Sequence, residues 1–301
     1  VWISAWLFVL ESPFGGRVPV LLLDTDLPLN SVEDRAITSQ LYGGDQVYRL
    51  KQEIVLGIGG FRMLQALGFT IRKYHMNEGH SALLALELMH RFTYPVENVR
   101  ANEAGCDVPR VRDLCVFTTH TPIDAGHDKF PYELVGRLLD GYTEIPILKP
   151  LAGDDALNMI SLGLNLSEYV NGVAERHAEV SRKLFPGHHV YAITNGAHAP
   201  SWTGSGFAAL FDRNIPGWRH EPQMLMRADH IADGEIWAAH TSQKQALIDF
   251  VKTRTGAELN PDRPIIGFAR RMTEYKRPGL LFSDLERLKA IARQRPFQVV
   301  L

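Results

Sequence analysis

Arg270, Arg271, Lys276 and Arg277 place four cations within eight residues, directly after the apolar run Pro264-Ile265-Ile266-Gly267-Phe268-Ala269. Arginine donates two parallel hydrogen bonds from a planar fork and lysine adds a compact charge, so such a turn suits phosphate oxygens. Taken by itself, the same run reads equally well as a solvated basic turn. Three other segments run from apolar residues into neutral polar ones: Tyr74-His75-Met76-Asn77-Glu78-Gly79-His80, Phe117-Thr118-Thr119-His120 and Ile193-Thr194-Asn195-Gly196. Asn, His and Thr donate and accept without requiring a charge, which suits sugar hydroxyls. A polyol joined to a phosphate implies glycosyl or phosphoryl transfer.

Zinc hydrolysis is the competing chemistry, with His75, Glu78, His80, His120 and His127 as candidate ligands. The spacing argues against it: His75 and His80 are five apart, neither HExxH nor HxxEH occurs, and the two cysteines are not in CxxC form. No metal site is therefore expected. A Ser/His/Asp triad lacks its G-x-S-x-G elbow. Gly57-Ile58-Gly59-Gly60 has no strand before it and no Lys-Ser/Thr after it, so it reads as close helix packing and not as a phosphate loop.

These residues need elements that deliver them to one crevice. An apolar run bounded by Pro, as at 264–269, predicts a strand covered on both faces, and parallel sheets bind ligands beyond the carboxyl ends of their strands. Residues 1–24 read as two strands about a Ser12-Pro13-Phe14-Gly15-Gly16 turn, the opening run being a core strand. Residues 26–42 read as loop. Leu50, Ile54, Ile58, Phe61, Leu64 and Leu67 recur at steps of three and four, predicting a helix stopped by Gly68. Short strands are expected at 69–71, 113–118 and 190–194, and a helix at about 81–91. An amphipathic helix is expected over about 166–185, carrying Asn171 and a structural His177. Strands alternating with helices indicate an α/β architecture with mostly parallel sheets.

The chain has 301 residues, 45% hydrophobic and 22% charged, enough for one large or two ordinary domains. A formal charge of -2 gives no general attraction to nucleic acid or acidic membranes, so an anion held at 270–277 should be small. Cys106 and Cys115, the two cysteines, are read as reduced, in a cytoplasmic compartment. The apolar opening is shorter than a membrane span and meets Glu11. It begins without Met, and Phe297-Gln298-Val299-Val300-Leu301 looks like a strand cut short, so the chain is expected to be a fragment.

Five segments in order carry a family resemblance: Tyr74 to Leu88, Phe117 to Thr121, Asn171-Gly172-Val173-Ala174 with His177, Thr194-Asn195-Gly196, and Arg270 to Arg277. Together they resemble the α-glucan (glycogen, starch and maltodextrin) phosphorylases of short prokaryotic type, over nearly the whole chain. Leu41-Tyr42-Gly43-Gly44-Asp45 with Arg49-Leu50-Lys51-Gln52-Glu53 resembles the family's active-site gate loop and the helix after it. The resemblance implies a GT-B glycosyltransferase fold of two Rossmann-like domains. Residues 1–262 would belong to the N-terminal glucan-binding domain, and 263–301 would open a truncated C-terminal domain that binds pyridoxal 5'-phosphate. It also implies phosphorolysis of an α-1,4 glucan by inorganic phosphate to glucose 1-phosphate, with retention. Glucan and phosphate are the implied partners, without nucleic acid or membrane, and homo-oligomerisation is compatible with the family.

By motif position, the resemblance assigns Arg271 and Lys276 to the substrate phosphate, Arg270 to the cofactor phosphate, and His120 and Asn195 to the transferred glucosyl unit. Asp45, Asn77 and Glu78 would lie near the sugar or its gate. The family often has Lys where Arg270 stands and His where Thr273 stands. No lysine of this chain sits in the motif that anchors the cofactor, so the chain alone is expected to be inactive. The alternatives are a nucleotide-sugar-dependent glycogen or starch synthase of the same fold, and a non-catalytic glucan-binding module.

Overall fold

The computed structural model describes residues 1–12, 15–41, 43–95, 97, 105–121, 123, 126–270, 272 and 274–301, with Tyr275 described by its backbone alone. Contacts divide the chain into two compact units, Val1–Asn195 and Gly196–Leu301.

The first unit opens with β1 (Ser4–Glu11) and β2 (Arg17–Asp24), an antiparallel pair in register from Ser4↔Asp24 to Glu11↔Arg17. The two strands form a sheet of their own, and Trp6, Leu7, Phe8 and Leu10 are each more than half exposed. The expected core strand is thus a strand but not core, because among the described residues no third strand pairs with the hairpin. The short helix Val32–Arg35 follows, where a loop was expected.

The helix predicted from the spacing of Leu50 to Leu67 forms as Gln46–Ile54, a π-helical segment Val55–Gly59, and Gly60–Ala66, and Gly68 ends it at a left-handed φ of 78°. Leu50, Ile58 and Phe61 are buried. A Cβ at Gly57 would lie 2.8 Å from the Leu84 backbone nitrogen, so this glycine lets the helix meet its neighbour closely, as read from sequence.

The central sheet follows from the remaining strands of the unit: β3 (Tyr74–Asn77), β4 (Cys115–Thr119), β5 (Lys129–Pro131), β6 (Ala156–Asn158), β7 (Tyr169–Gly172) and β8 (Tyr191–Ala192). Four of them pair in the order β3-β4-β7-β8, all parallel, while β5 and β6 make a separate antiparallel pair. Parallel neighbours require crossovers. Helices Leu84–Arg91 and Val108–Leu114 connect β3 to β4, Met159–Asn165 leads into β7, and Glu175–Leu184 connects β7 to β8. Met76, Phe117 and Val170 carry the sheet into a core with Leu83, Leu86, Leu162, Leu164 and Val190.

Several boundaries differ from the sequence reading, the strand expected at 113–118 beginning only at Cys115, after the helix Val108–Leu114. The strand expected at 69–71 lies at Tyr74–Asn77, and the strand expected at 190–194 pairs only at Tyr191 and Ala192. The expected helix over 166–185 is instead strand β7 followed by the helix Glu175–Leu184. The helical spacing of Tyr169, Val170 and Val173 is an accident of joining two short elements, and pairing on both sides by β4 and β8 overrides it.

In the second unit, helices Ser205–Asn214 and Asp233–Thr255 pack about Leu210, Ile215, Trp218, Ile231 and Ala239. Strands β9 (Ile265–Gly267) and β10 (Gln298–Val300) pair in parallel, with the helix Leu285–Gln294 between them in sequence. The strand expected at 264–269 is present, but Ile266 is 39% exposed, so it is not covered on both faces. Among the described residues, no helix is long and apolar enough to cross a membrane.

Candidate active site at the carboxyl ends of the central sheet

Parallel pairing aligns the carboxyl ends of β3 and β4, and their first polar residues beyond the core are Asn77, Glu78 and His120. His120 Nε2 lies 2.7 Å from Asn77 Oδ1, an acceptor, so the imidazole carries a proton on Nε2. The His120 backbone N–H donates to Glu78 Oε1. The Glu78 carboxylate also takes the Gly79 N–H at 3.4 Å, and its own N–H donates to Thr118 O at 2.9 Å. Glu78 is 8% exposed and stands at φ 65°, ψ 177°. That region is essentially reserved for glycine and costs of order 1–3 kcal/mol elsewhere, so the surroundings must hold this residue in place.

Behind these residues a polar row crosses the sheet. Thr118 Oγ1 donates to Asn171 Oδ1 at 2.9 Å, and His75 Nε2 lies 2.6 Å from the same hydroxyl. A hydroxyl has one proton; with it given to Asn171, His75 must donate from Nε2. On β7 the next residue is Gly172, where a Cβ would fall 2.5 Å from His177 Nδ1. Burial holds the His177 imidazole below its ordinary range. Its Nε2 is buried with no hydrogen-bond partner among the described residues.

A second group of charges lies beside Glu78 in sequence. Arg49 Nη2 reaches Glu53 Oε1 at 3.1 Å and Asp128 Oδ2 at 2.7 Å, and His80 Nδ1 lies 3.1 Å from Asp128 Oδ2 and 3.5 Å from Glu53 Oε1. Burial pushes the Glu53 carboxyl up to about 7, against the hydrogen bond to His80. Hydrogen bonds to Asp128 and Glu53 carry the His80 imidazole up to about 9. Burial alone would raise Asp128, but His80, Glu53 and Arg49 outweigh it and hold that carboxyl well below its usual range. Glu53, His80 and Asp128 are close enough to surround a cation. The guanidinium of Arg49 already contacts the same two carboxylates, so the cluster has a resident cation of its own.

The structure therefore brings Asn77, Glu78 and His120 together. Asn195 is exposed just past β8, with its N–H on Val173 O at 3.0 Å. Asp45 caps the helix Gln46–Ile54 by accepting the Tyr48 N–H at 2.9 Å. In the second unit Arg270 is exposed three residues after β9, and Lys276 is half-buried in the 3-10 turn Glu274–Lys276. Arg271 lies outside the described residues. Of the zinc candidates, only His80 joins the three-residue cluster just described; His127 stacks on Phe185 with ring centroids 5.5 Å apart. Sequence reasoning missed Glu53 and Asp128 as site residues. The available signal was a carboxylate three residues after Leu50, on the face of the helix that turns inward.

No family model matches the chain. The chain is 36% identical to a maltodextrin phosphorylase of Thermococcus litoralis over 95% of its own length, and 34% identical to a glycogen phosphorylase of Mycobacterium tuberculosis over 95%. A glycogen phosphorylase of Aquifex aeolicus is 29% identical over 99%. The chain spans 37%, 38% and 49% of the lengths of these three relatives. Over the stretch it spans, this chain is similar to the glycogen and maltodextrin phosphorylases.

Proposed function

We propose that the protein to which this chain belongs cleaves α-1,4 glucans from the non-reducing end with inorganic phosphate, releasing glucose 1-phosphate with retained configuration. The observation that carries this reading is the joining of Asn77, Glu78 and His120 at the carboxyl end of a parallel sheet, in a chain similar to phosphorylases along 95% of its length. His120 and Asn195 bind the transferred glucosyl unit. Asn77 fixes the His120 ring, and Glu78 fixes its backbone, so the imidazole meets a sugar hydroxyl without reorganising. Asp45 lies at the gate, at the start of the helix it caps.

The basic turn holds phosphate, with Arg271 and Lys276 on the substrate and Arg270 on the phosphate of pyridoxal 5'-phosphate. Two phosphates in contact repel strongly, and fixed cations offset that repulsion. The donor set of Arg270, Lys276 and Arg277 suits a phosphate. Lys252 and Lys289 do not suit the aldehyde end, being exposed and tied to Glu258 at 2.8 Å and Glu286 at 2.9 Å. When bound, the cofactor supplies a phosphate that works as an acid/base partner to the substrate phosphate. The whole protein has the GT-B arrangement, with its domain boundary at 262/263. It acts in the cytoplasm, a reading supported by two buried, unpaired thiols.

The test is glucose 1-phosphate release from maltodextrin and phosphate by the full-length protein, with and without pyridoxal phosphate, beside Lys276→Ala. Cofactor-dependent release that the folded variant loses is the expected result. No release from the folded, cofactor-supplied protein would overturn the assignment.

A further inference from the structure

Glu78 sits in a backbone region that persists only where neighbours over-determine it. On its amino side β3 and the bond from Glu78 N–H to Thr118 O provide this. On its carboxyl side the chain turns through the single 3-10 turn Gly79–Ser81, too short to hold itself. Two features anchor that turn. Gly79 lies so close to the helix Met159–Asn165 that a Cβ would fall 2.9 Å from Met159 Cβ, and His80 reaches Asp128 and Glu53.

The partners of His80 come from elsewhere in the fold. Glu53 and Arg49 stand on the helix that Asp45 caps, and Asp128 directly precedes β5. Glu53 is nearly inaccessible, its side chain 2% exposed, and its Oε2 is buried with no hydrogen-bond partner among the described residues. Desolvating a carboxylate in such a place costs stability, and its contacts with Arg49 and His80 offset that cost. We propose that Arg49, Glu53, His80 and Asp128 form a positioning clasp that ties the helix beginning at Asp45 to the turn beginning at Glu78, and so sets the sugar-binding geometry of Glu78 and His120. Glu53 and Asp128 are positioning residues in this scheme, acting on the sugar only through the turn. The inference rests on the phosphorylase reading for its substrate, but not for its geometry.

The charged groups that face one another in the clasp are Arg49 and Glu53 from one helix, His80 from the turn, and Asp128 from the segment before β5. Burial raises Glu53 toward neutrality, while its partners raise His80, so the clasp changes its protonation across the neutral and mildly alkaline range. Sugar binding should weaken as pH rises through that range, because a deprotonated His80 lets go of the two carboxylates.

The experiment uses the full-length protein with Glu53→Gln, Asp128→Asn and, as a control on the same helix, Lys51→Ala, whose partner is Asp34 at 2.7 Å. Maltodextrin KM and kcat are measured from pH 6 to 9, and His80 is titrated by NMR of labelled histidine. Glu53→Gln should raise KM about tenfold, move the onset of its rise about one pH unit lower, change kcat less than about threefold, and lower the His80 midpoint by about one pH unit. Lys51→Ala should match wild type. A wild-type KM profile in Glu53→Gln, or a shifted His80 midpoint without any change in KM, overturns the proposal. If Glu53→Gln does not fold, Asp128→Asn decides by the same readouts. If the wild-type protein releases no glucose 1-phosphate, the functional reading has failed. The clasp is then judged by the His120 amide resonance, which must move in either carboxylate variant.

Discussion

Thr118→Val removes one proton from the middle of the polar row and almost nothing else, since the two side chains have nearly the same shape. Asn171 is 5% exposed and Thr118 7%, so the carbonyl oxygen of Asn171 loses its donor in a place water does not reach. His75 is exposed and can turn its freed N–H to solvent. The loss is therefore one unsatisfied buried acceptor, about 1–3 kcal/mol. For a unit of this size that corresponds to a fall in Tm of roughly 3–9 °C. Thermal unfolding followed by circular dichroism measures it, and hydrogen exchange at the Thr118 and Asn171 amides places the loss on β4 and β7. Adding Asn171→Leu removes the stranded acceptor, so the double variant should recover at least half of the lost Tm. A single variant that melts within about 1 °C of wild type, or a double variant as unstable as the two singles summed, would refute the account of the row.

Gly172→Ala forces a methyl against His177 Nδ1, and such overpacking should lower stability by about 1–3 kcal/mol in a chemical denaturation curve. Stability should fall as pH rises from about 5 to 9. Glu53 titrates at 4.5 unfolded and about 7 folded, so its contribution is whole below 4.5 and gone above 7; that of His80 is whole below 6.5 and gone above about 9. The ceiling is roughly 3 kcal/mol for Glu53 and about half that for His80 after allowing for solvent screening; melting temperatures that climb between pH 6 and 9 would contradict it. Glu78→Gly relieves a strained φ but removes the acceptor of the His120 N–H, two effects of opposite sign on stability, and should raise the glucan KM of the full-length protein at least tenfold. The isolated 301-residue chain should show no stoichiometric Schiff-base absorbance with pyridoxal phosphate, a titration that one ultraviolet-visible spectrum per step can follow.

The α/β class, the parallel sheet and the convergence of Asn77 with His120 were all legible, because each rests on local patterns: apolar runs ending in polar residues, and glycines after helices. Two things were not. Tyr169-Val170-Asn171-Gly172 reads as helix, and only pairing by β4 and β8 on both sides makes it a strand. The Glu53–His80–Asp128 cluster joins residues 27 and 48 positions apart, a juxtaposition that no periodicity encodes. The basic turn was legible only as a motif, since four cations in eight residues need no tertiary information to be noticed.

The hairpin of β1 and β2 governs how this chain behaves at the bench. Each strand has one partner and one open edge, and Trp6, Leu7, Phe8, Leu10, Val18 and Leu22 all stand more than half in water. Open edges with apolar side chains recruit further strands, and a lone two-stranded ribbon has little stability of its own to resist this. A preparation of the 301 residues alone should therefore self-associate with rising concentration. Lysine at Leu7 and Leu22, which face Leu21 and Trp6 across the ribbon, would place one charge on each of its faces and keep the ribbon from stacking on its copies.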